Sequence, residues 1–340
     1  MTRMIDFMPG CACNFRCGYC LEAGGANNYK AVAMPDDVAD AASAYVKHVM
    51  DKLGVDERMI LRFLGGEPML YTDVMQRVVD SIPDNRIVLR IVTNGSLIES
   101  KGDWLLSVNE QLGGRLDVVV SYDYALQDEN RQQGTYEQVR NGIRWLPAHG
   151  LGVRTLSCIP FCDLHRIYDV YRDFRKLRRE IPSLDLPFNV PYVGEIDEEK
   201  TREALSLVRE VMQRTGTLGI MYRNRSHVHR ETSQPGCVYS NIYAGINVDG
   251  NIYPAYSIIH DADKRSLYYM GNVKEDFALL DEKHDALLSR VNFEKPSACL
   301  ECEAPCYVIP WESAKSDVSE TFGMPDPRAC RASKLIGEYL

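Results

Sequence analysis

The 340-residue chain has no apolar run approaching the roughly eighteen residues that a membrane span needs, which excludes a transmembrane reading. Its first ten residues, Met1 to Gly10, lack a charged segment followed by a long apolar stretch, so no secretory signal is present and the expected location is the cytoplasm. There is no excess of base. Lys and Arg number 39 against 48 Asp and Glu, a net charge of −9, the reverse of the balance that gripping many phosphates requires, so nucleic acid is not an expected partner. Internal repeats and low-complexity tracts are absent. With 45% hydrophobic and 26% charged residues, the composition is that of a folded chain with a sizeable core, not a disordered or collagen-like one.

Cysteine, by contrast, is plentiful. Eleven cysteines in a reducing compartment argue against a disulfide framework and for metal or redox chemistry. Four lie between positions 11 and 20 and five between 237 and 330, with Cys158 and Cys162 between the groups. Two metal-binding regions at opposite ends of the sequence are the first concrete expectation.

The first two-thirds alternates short apolar runs with amphipathic helical patterns. Strands are expected at Met4–Met8, Met59–Leu64, Ile87–Thr93, Leu116–Tyr122, Val153–Ile159 and Phe188–Tyr192. The clearest helix runs from Asp36 to Leu53, started by Asp36 and Asp37 after Pro35 and stopped by Gly54. Others are expected at Thr72–Ser81, Thr135–Leu146, Asp163–Arg179 and Glu198–Arg214. The basic cluster Arg172, Arg175, Lys176, Arg178 and Arg179 reads as a solvated helix face. Six alternations predict an α/β fold with a parallel sheet, either doubly wound or a partial barrel, whose chemistry sits beyond the carboxyl ends of the strands. A polar stretch, residues 224–236, reads as a linker between a first domain, 1–223, and a second, 237–340. His227 and His229 within it read as exposed loop histidines. Strand-like pieces Ala244–Val248 and Asn251–Pro254 follow, around the turn Asp249-Gly250.

Cys13, Cys17 and Cys20 follow the first strand with the spacing C-x3-C-x2-C. Three thiolates on one loop can hold three irons of a [4Fe–4S] cube and leave the fourth iron open. The same spacing is compatible with a zinc site or a ferredoxin-like loop completed by a distant cysteine. Other motifs share the rim: Gly65-Gly66-Glu67-Pro68 after the second strand, Thr93-Asn94-Gly95 after the third, and Ser121-Tyr122-Asp123 with Arg131 after the fourth. The glycines permit close backbone approach to a ligand. Glu67 can accept from an ammonium and Arg131 can clamp a carboxylate, which together describe an amino acid.

Cys13-Asn14-Phe15-Arg16-Cys17-Gly18-Tyr19-Cys20 with Gly65-Gly66-Glu67-Pro68 resembles the radical S-adenosylmethionine superfamily. The run Arg131–Leu146 also resembles its peptide-modifying branch. The resemblance implies a partial (β/α)6 barrel whose open iron chelates the amino and carboxylate groups of S-adenosylmethionine. The cofactor-binding set it implies is Tyr19 near the adenine, Gly66 and Glu67 at the amino group, Ser121 at the ribose or nearby backbone and Arg131 at the carboxylate, together with Gly65, Pro68, Thr93 and Asn94. The family's chemistry is reductive cleavage of the sulfonium to a 5′-deoxyadenosyl radical, which abstracts hydrogen from an unactivated C–H bond.

The late cysteines resemble a SPASM or shortened twitch extension, a small cysteine-rich α+β domain carrying auxiliary [4Fe–4S] clusters. One auxiliary cluster is expected, on Cys299, Cys302, Cys306 and Cys330, with Cys237 an alternative ligand; a four-cysteine zinc knob would use the same residues. Two departures stand out. Ala255 occupies the place of a cysteine five residues after the turn glycine, and Tyr256 the place of the carboxylate that sulfatase-maturing relatives use as a base. Tyr256 is therefore one candidate catalytic residue. Cys158 is the other, as a hydrogen-atom donor of the kind found in radical epimerases, against its plain reading as a small buried hydrophobe.

The expected activity is hydrogen abstraction from a ribosomally made peptide, giving an oxidative modification or crosslink. Twelve residues before Cys13 leave no room for a peptide-recognition domain there, so the expected partners are a separate leader-recognition protein and an electron donor such as a flavodoxin or ferredoxin. Two alternatives remain: a dehydrogenase or epimerase of an aminoglycoside-like sugar, and a non-catalytic metal-binding scaffold.

Overall fold

Strands β1 (Thr2–Phe7), β2 (Arg58–Phe63), β3 (Ile87–Thr93), β4 (Leu116–Ser121), β5 (Val153–Cys158) and β6 (Phe188–Asn189) lie side by side in sequence order, all parallel. This is a computed structural model, and it describes residues 2–24, 30–191, 193–216, 242–290 and 327–339. Alternation of strand and helix alone leaves two architectures open, and strand order decides between them. A doubly wound sheet reverses direction at a switch point. Here the order never reverses, so right-handed crossovers keep the helices on one face and the sheet is a partial barrel.

The barrel stays open because the free edge of β1 pairs with β7 (Ile242–Ile246), also parallel, and not with β6. Two short antiparallel strands, β8 (Asn251–Tyr253) and β9 (Gly271–Asn272), extend that side. The segment after residue 241 thus begins as a continuation of the barrel sheet. The expected boundary at 224–236, with His227 and His229, lies outside the described residues, as do Cys237, Cys299, Cys302 and Cys306.

Alternation along the strands sets the two faces of the sheet. Ile5 and Phe7, Met59, Leu61 and Phe63, Leu89 and Ile91, and Val118 and Val120 are buried and join the core beneath the helices. Helix Asp36–Asp51 contributes Val38, Ala42, Tyr45, Val46, Val49 and Met50 to that core, and each large apolar side chain so buried contributes roughly 1.5–3 kcal/mol. The opposite face carries charge in register: Asp6 lies opposite Arg62, Arg62 opposite Arg90, and Arg90 opposite Asp117. Arg62 grips Asp6 with two hydrogen bonds of 2.6 and 2.7 Å, and Asp117 is shared by Arg90 and Arg154.

Three expectations need correction. The sixth strand stops at Asn189 and not Tyr192, because Pro187 and Pro191 flank a two-residue ladder and Pro191 has no N–H to donate. Helix Gly102–Gln111 was not expected; it begins on a glycine whose Cβ would strike the Trp145 ring at 2.4 Å, so close packing overrides a poor helix former. The helix expected from Asp163 starts at Ile167, preceded by a 3-10 turn over Phe161–Arg166.

The C-terminal helix, Pro327–Tyr339, returns to the barrel and packs on helix Glu198–Thr215, with Arg202 reaching Glu338 and Arg331 reaching Glu198. It buries Ala332, Leu335 and Ile336 and carries Cys330, which is half-buried. No helix among the described residues is long and apolar enough to cross a membrane.

Candidate active site

The cysteine loop leaves β1 and is held from three sides by backbone. Cys11 N–H donates to Val32, Gly18 N–H to Asn130 at 3.0 Å, and Glu67 N–H to the Ala12 carbonyl at 2.8 Å. The Tyr71 hydroxyl accepts from Ala12 N–H, and its ring occupies the space a Cβ on Gly10 would need. The glycine pair was expected to let backbone approach a ligand. It lets the backbone approach this loop as well: a Cβ on Gly66 would lie 2.2 Å from the Ala12 carbonyl oxygen and 2.4 Å from that of Cys11. Gly65 adds a φ of +135°, which side-chain-bearing residues rarely adopt.

Glu67 is also held by the protein itself. Buried at 1% exposure, its Oε1 accepts from Thr93 Oγ1 at 2.7 Å and Met69 N–H at 3.0 Å, and its Oε2 from Asn94 N–H at 2.7 Å. Three of about four acceptor positions on a carboxylate are therefore taken by the protein. Burial pushes this carboxyl above its ordinary value, against those three hydrogen bonds. Pro68 starts the 3-10 turn that Glu67 caps. Asn94 then turns back to the cysteines: its Nδ2 donates to Asn14 Oδ1 at 2.7 Å and lies 3.8 Å from Cys13 Sγ.

Asp123 is the residue sequence reasoning passed over. Fully buried after β4, it accepts from Cys158 N–H at 2.7 Å and from the Tyr19 hydroxyl, and it forms an ion pair with Arg131 Nε at 3.1 Å. Tyr124, the next residue, is the non-glycine at positive φ (53°) among the described residues. Its ring is fixed by a 2.7 Å bond to Thr155 Oγ1 and an edge contact with Phe174. Burial pushes the Asp123 carboxyl up, against the pull of Arg131. Burial alone would lower the Arg131 guanidinium, but Asp123 outweighs it and keeps it charged. The same guanidinium lies 5.5 Å from the Tyr19 ring centroid. Tyr19, Asp123, Arg131 and Cys158 thus form one knot, while Ser121 sits half-buried at the end of β4. Burial, then Asp123, raises the Cys158 thiol to about 12, so it stays an S–H.

A second buried knot was not foreseen. The Tyr256 hydroxyl donates to Glu22 Oε1 at 2.6 Å and lies 3.4 Å from the Gly65 carbonyl oxygen. His260 Nε2 stands 3.5 Å from the same Glu22 oxygen, its ring against that of Tyr256 at 4.5 Å. Burial pushes Glu22 up to about 7 and the His260 imidazole down to about 4.

The cysteine side chains fit a cluster. Burial raises the Cys13 and Cys17 thiols to about 11, so at neutral pH they are uncharged until a cation draws off their protons. Among the described residues no three His, Cys, Asp or Glu side chains converge on a single ion, and cube ligands do not need to, since each takes a different iron. A three-thiol loop beneath a buried arginine and a ring of strand-end polar groups is the arrangement of an enzyme that binds an iron–sulfur cube with an amino acid on its open iron. Residues 7–174, just under half of the chain, match the Radical SAM superfamily model, a superfamily whose cofactors are a [4Fe–4S] cluster and S-adenosylmethionine.

The fold is shared with anSMEcpe with bound AdoMet, at a TM-score of 0.70 and 17% identity over 100% of this chain and 96% of that one. It is shared also with Streptococcus suis SuiB bound to precursor peptide SuiA, at a TM-score of 0.64 and 16% identity over 97% and 76% of the two chains. A probable GTP 3′,8-cyclase from Methanocaldococcus jannaschii is 29% identical over 136 residues, 39% of this chain and 41% of that protein. The match thus spans less than half the length of that curated relative.

Proposed function

We propose that this protein abstracts hydrogen from a C–H bond of a peptide substrate, producing an oxidative modification or crosslink. The observation that carries the reading is the extent of the shared architecture. The likeness runs past the barrel through β7–β9 to the C-terminal helix, and anSMEcpe and SuiB, alike over nearly the whole chain, have been seen with a Cp18Cys peptide and a precursor peptide. The cube and S-adenosylmethionine would supply the 5′-deoxyadenosyl radical when bound, with Cys13, Cys17 and Cys20 holding the iron.

This chain's own residues do the rest. Asp123 fixes the Arg131 guanidinium through its Nε, leaving the two terminal nitrogens to clamp a carboxylate. Glu67 locks the Thr93–Asn94 turn against the cysteine loop. An auxiliary cluster on Cys299, Cys302, Cys306 and Cys330, with Cys237 as alternative ligand, would carry away the electron left after abstraction. The domain division at 224–236 and reduction by a flavodoxin- or ferredoxin-type donor belong to the same proposal.

The test is anaerobic incubation of the reconstituted, reduced protein with S-adenosylmethionine and short precursor-like peptides. Peptide-dependent 5′-deoxyadenosine together with peptide mass lowered by two hydrogens is the expected result. Release with aminoglycoside-type sugars and none with peptides would replace the reading by sugar oxidation.

A further inference from the structure

Glu22 is 1% exposed, yet only one of its carboxyl oxygens is used: Oε1 accepts from Tyr256, and Oε2 has no partner among the described residues. Both ring nitrogens of His260, whose side chain is 4% exposed, are likewise without a hydrogen bond there. Three orphaned polar atoms in one buried place mark a missing partner, because each costs roughly 1–3 kcal/mol when left unmade. The place is specific. Glu22 follows Cys20 by two residues, and Tyr256 stands between it and the Gly65 carbonyl, so the knot bridges the cysteine loop and the glycine pair. Glu67, from which the motif led one to expect an open carboxylate on this rim, has spent three acceptor positions on Thr93, Asn94 and Met69.

We propose that Glu22 is a binding carboxylate of the cofactor pocket, that its open Oε2 receives an N–H or O–H donor brought by a bound molecule, and that Tyr256 is its positioning residue. The phenol has one proton. At 2.6 Å that proton goes to Glu22, and the 3.4 Å approach to Gly65 is the weaker contact. Tyr256 therefore fixes Oε1 and leaves Oε2 as the acceptor that remains. The donor chemistry has two sources: the ammonium of S-adenosylmethionine, or an amide or hydroxyl of the substrate. The first rests only on the family's cofactor; the second rests also on the peptide reading above.

Two variants separate the sources. Glu22→Gln keeps an oxygen for Tyr256 but presents an amide N–H₂ where Oε2 was, which repels a donor. Tyr256→Phe keeps the carboxylate but removes what orients it. The readouts are iron per chain, the half-saturation concentration of S-adenosylmethionine for its change in the electron paramagnetic resonance spectrum of the reduced cluster, and KM for peptide. If the donor is the ammonium, iron stays constant while half-saturation rises about ten-fold or more in Glu22→Gln and about three- to ten-fold in Tyr256→Phe. The double variant should then be no worse than Glu22→Gln. If the donor is the substrate's, half-saturation holds and KM for peptide rises by those factors. The cofactor measurement contains no peptide, so failure of the peptide reading leaves it standing. Unchanged half-saturation and KM, or losses only in proportion to lost iron, overturn the proposal.

Discussion

At the scale of single residues, His260 offers a pH signature. Glu22 and Tyr256 face it from one side and the Arg265 charge acts from another; burial first, and then Arg265, holds its imidazole at about 4 against an ordinary 6.5. A folded-state value below the unfolded one contributes stability that is present above pH 6.5 and is lost as pH falls toward 4. Glu22, pushed up to about 7 from 4.5, has the opposite sign: its contribution is present below pH 4.5 and lost as pH rises through 7. In His260→Phe the drop in unfolding free energy between pH 6.5 and pH 4 should shrink by about 3 kcal/mol, read from urea denaturation at the two pH values. An unaltered drop would show that the imidazole is not held neutral. None of this was legible in the sequence. Glu22 looks like an ordinary charge beside Cys20, and only the pairing of β7 with β1 brings Tyr256 to it.

At the scale of elements, the glycine pair is a packing device between two loops. Gly66→Ala places a methyl 2.2 Å from the Ala12 carbonyl oxygen, where backbone and not a flexible side chain must yield. The expected outcome is a protein with unchanged far-ultraviolet circular dichroism that has lost most of the roughly four irons of its N-terminal cluster. A Gly66→Ala protein with full iron would remove the packing argument. The motif itself was plain in the sequence; what it touches was not, since a short Gly-Gly says that something comes close without saying what. Strand β3 was legible end to end, because Ile87-Val88-Leu89-Arg90-Ile91-Val92-Thr93 is a short run rich in β-branched residues. Asp123 was missed for the converse reason. Ser-Tyr-Asp at a strand end is unremarkable until Tyr19, Arg131 and Cys158 are seen to converge on its carboxylate.

At the scale of the whole molecule, the two cysteine groups predict a stoichiometry. After anaerobic reconstitution the protein should hold about eight irons, falling to about four in a Cys13/Cys17/Cys20→Ala variant. About four irons with one zinc would make the late cysteines a structural knob, and no loss in the variant would remove the first cluster from this loop. Strand–helix alternation left the singly wound order open, because doubly wound and barrel sheets share it; the partial barrel was implied by the cysteine and glycine motifs and is what the structure has. The order β6-β5-β4-β3-β2-β1-β7 decides it.

That order also dictates when the molecule can be finished. β1 is made before both of its neighbours and meets β2 soon after, but its other edge waits for Ile242–Ile246. At ordinary elongation rates the interval is tens of seconds, during which the strand leading into the cysteine loop offers an unpaired edge. Tyr256, which reaches Glu22 and Gly65, arrives later still. The thiols are thus made well before the wall beside them, so a nascent chain offers the cysteine loop to iron before Tyr256 can close over it.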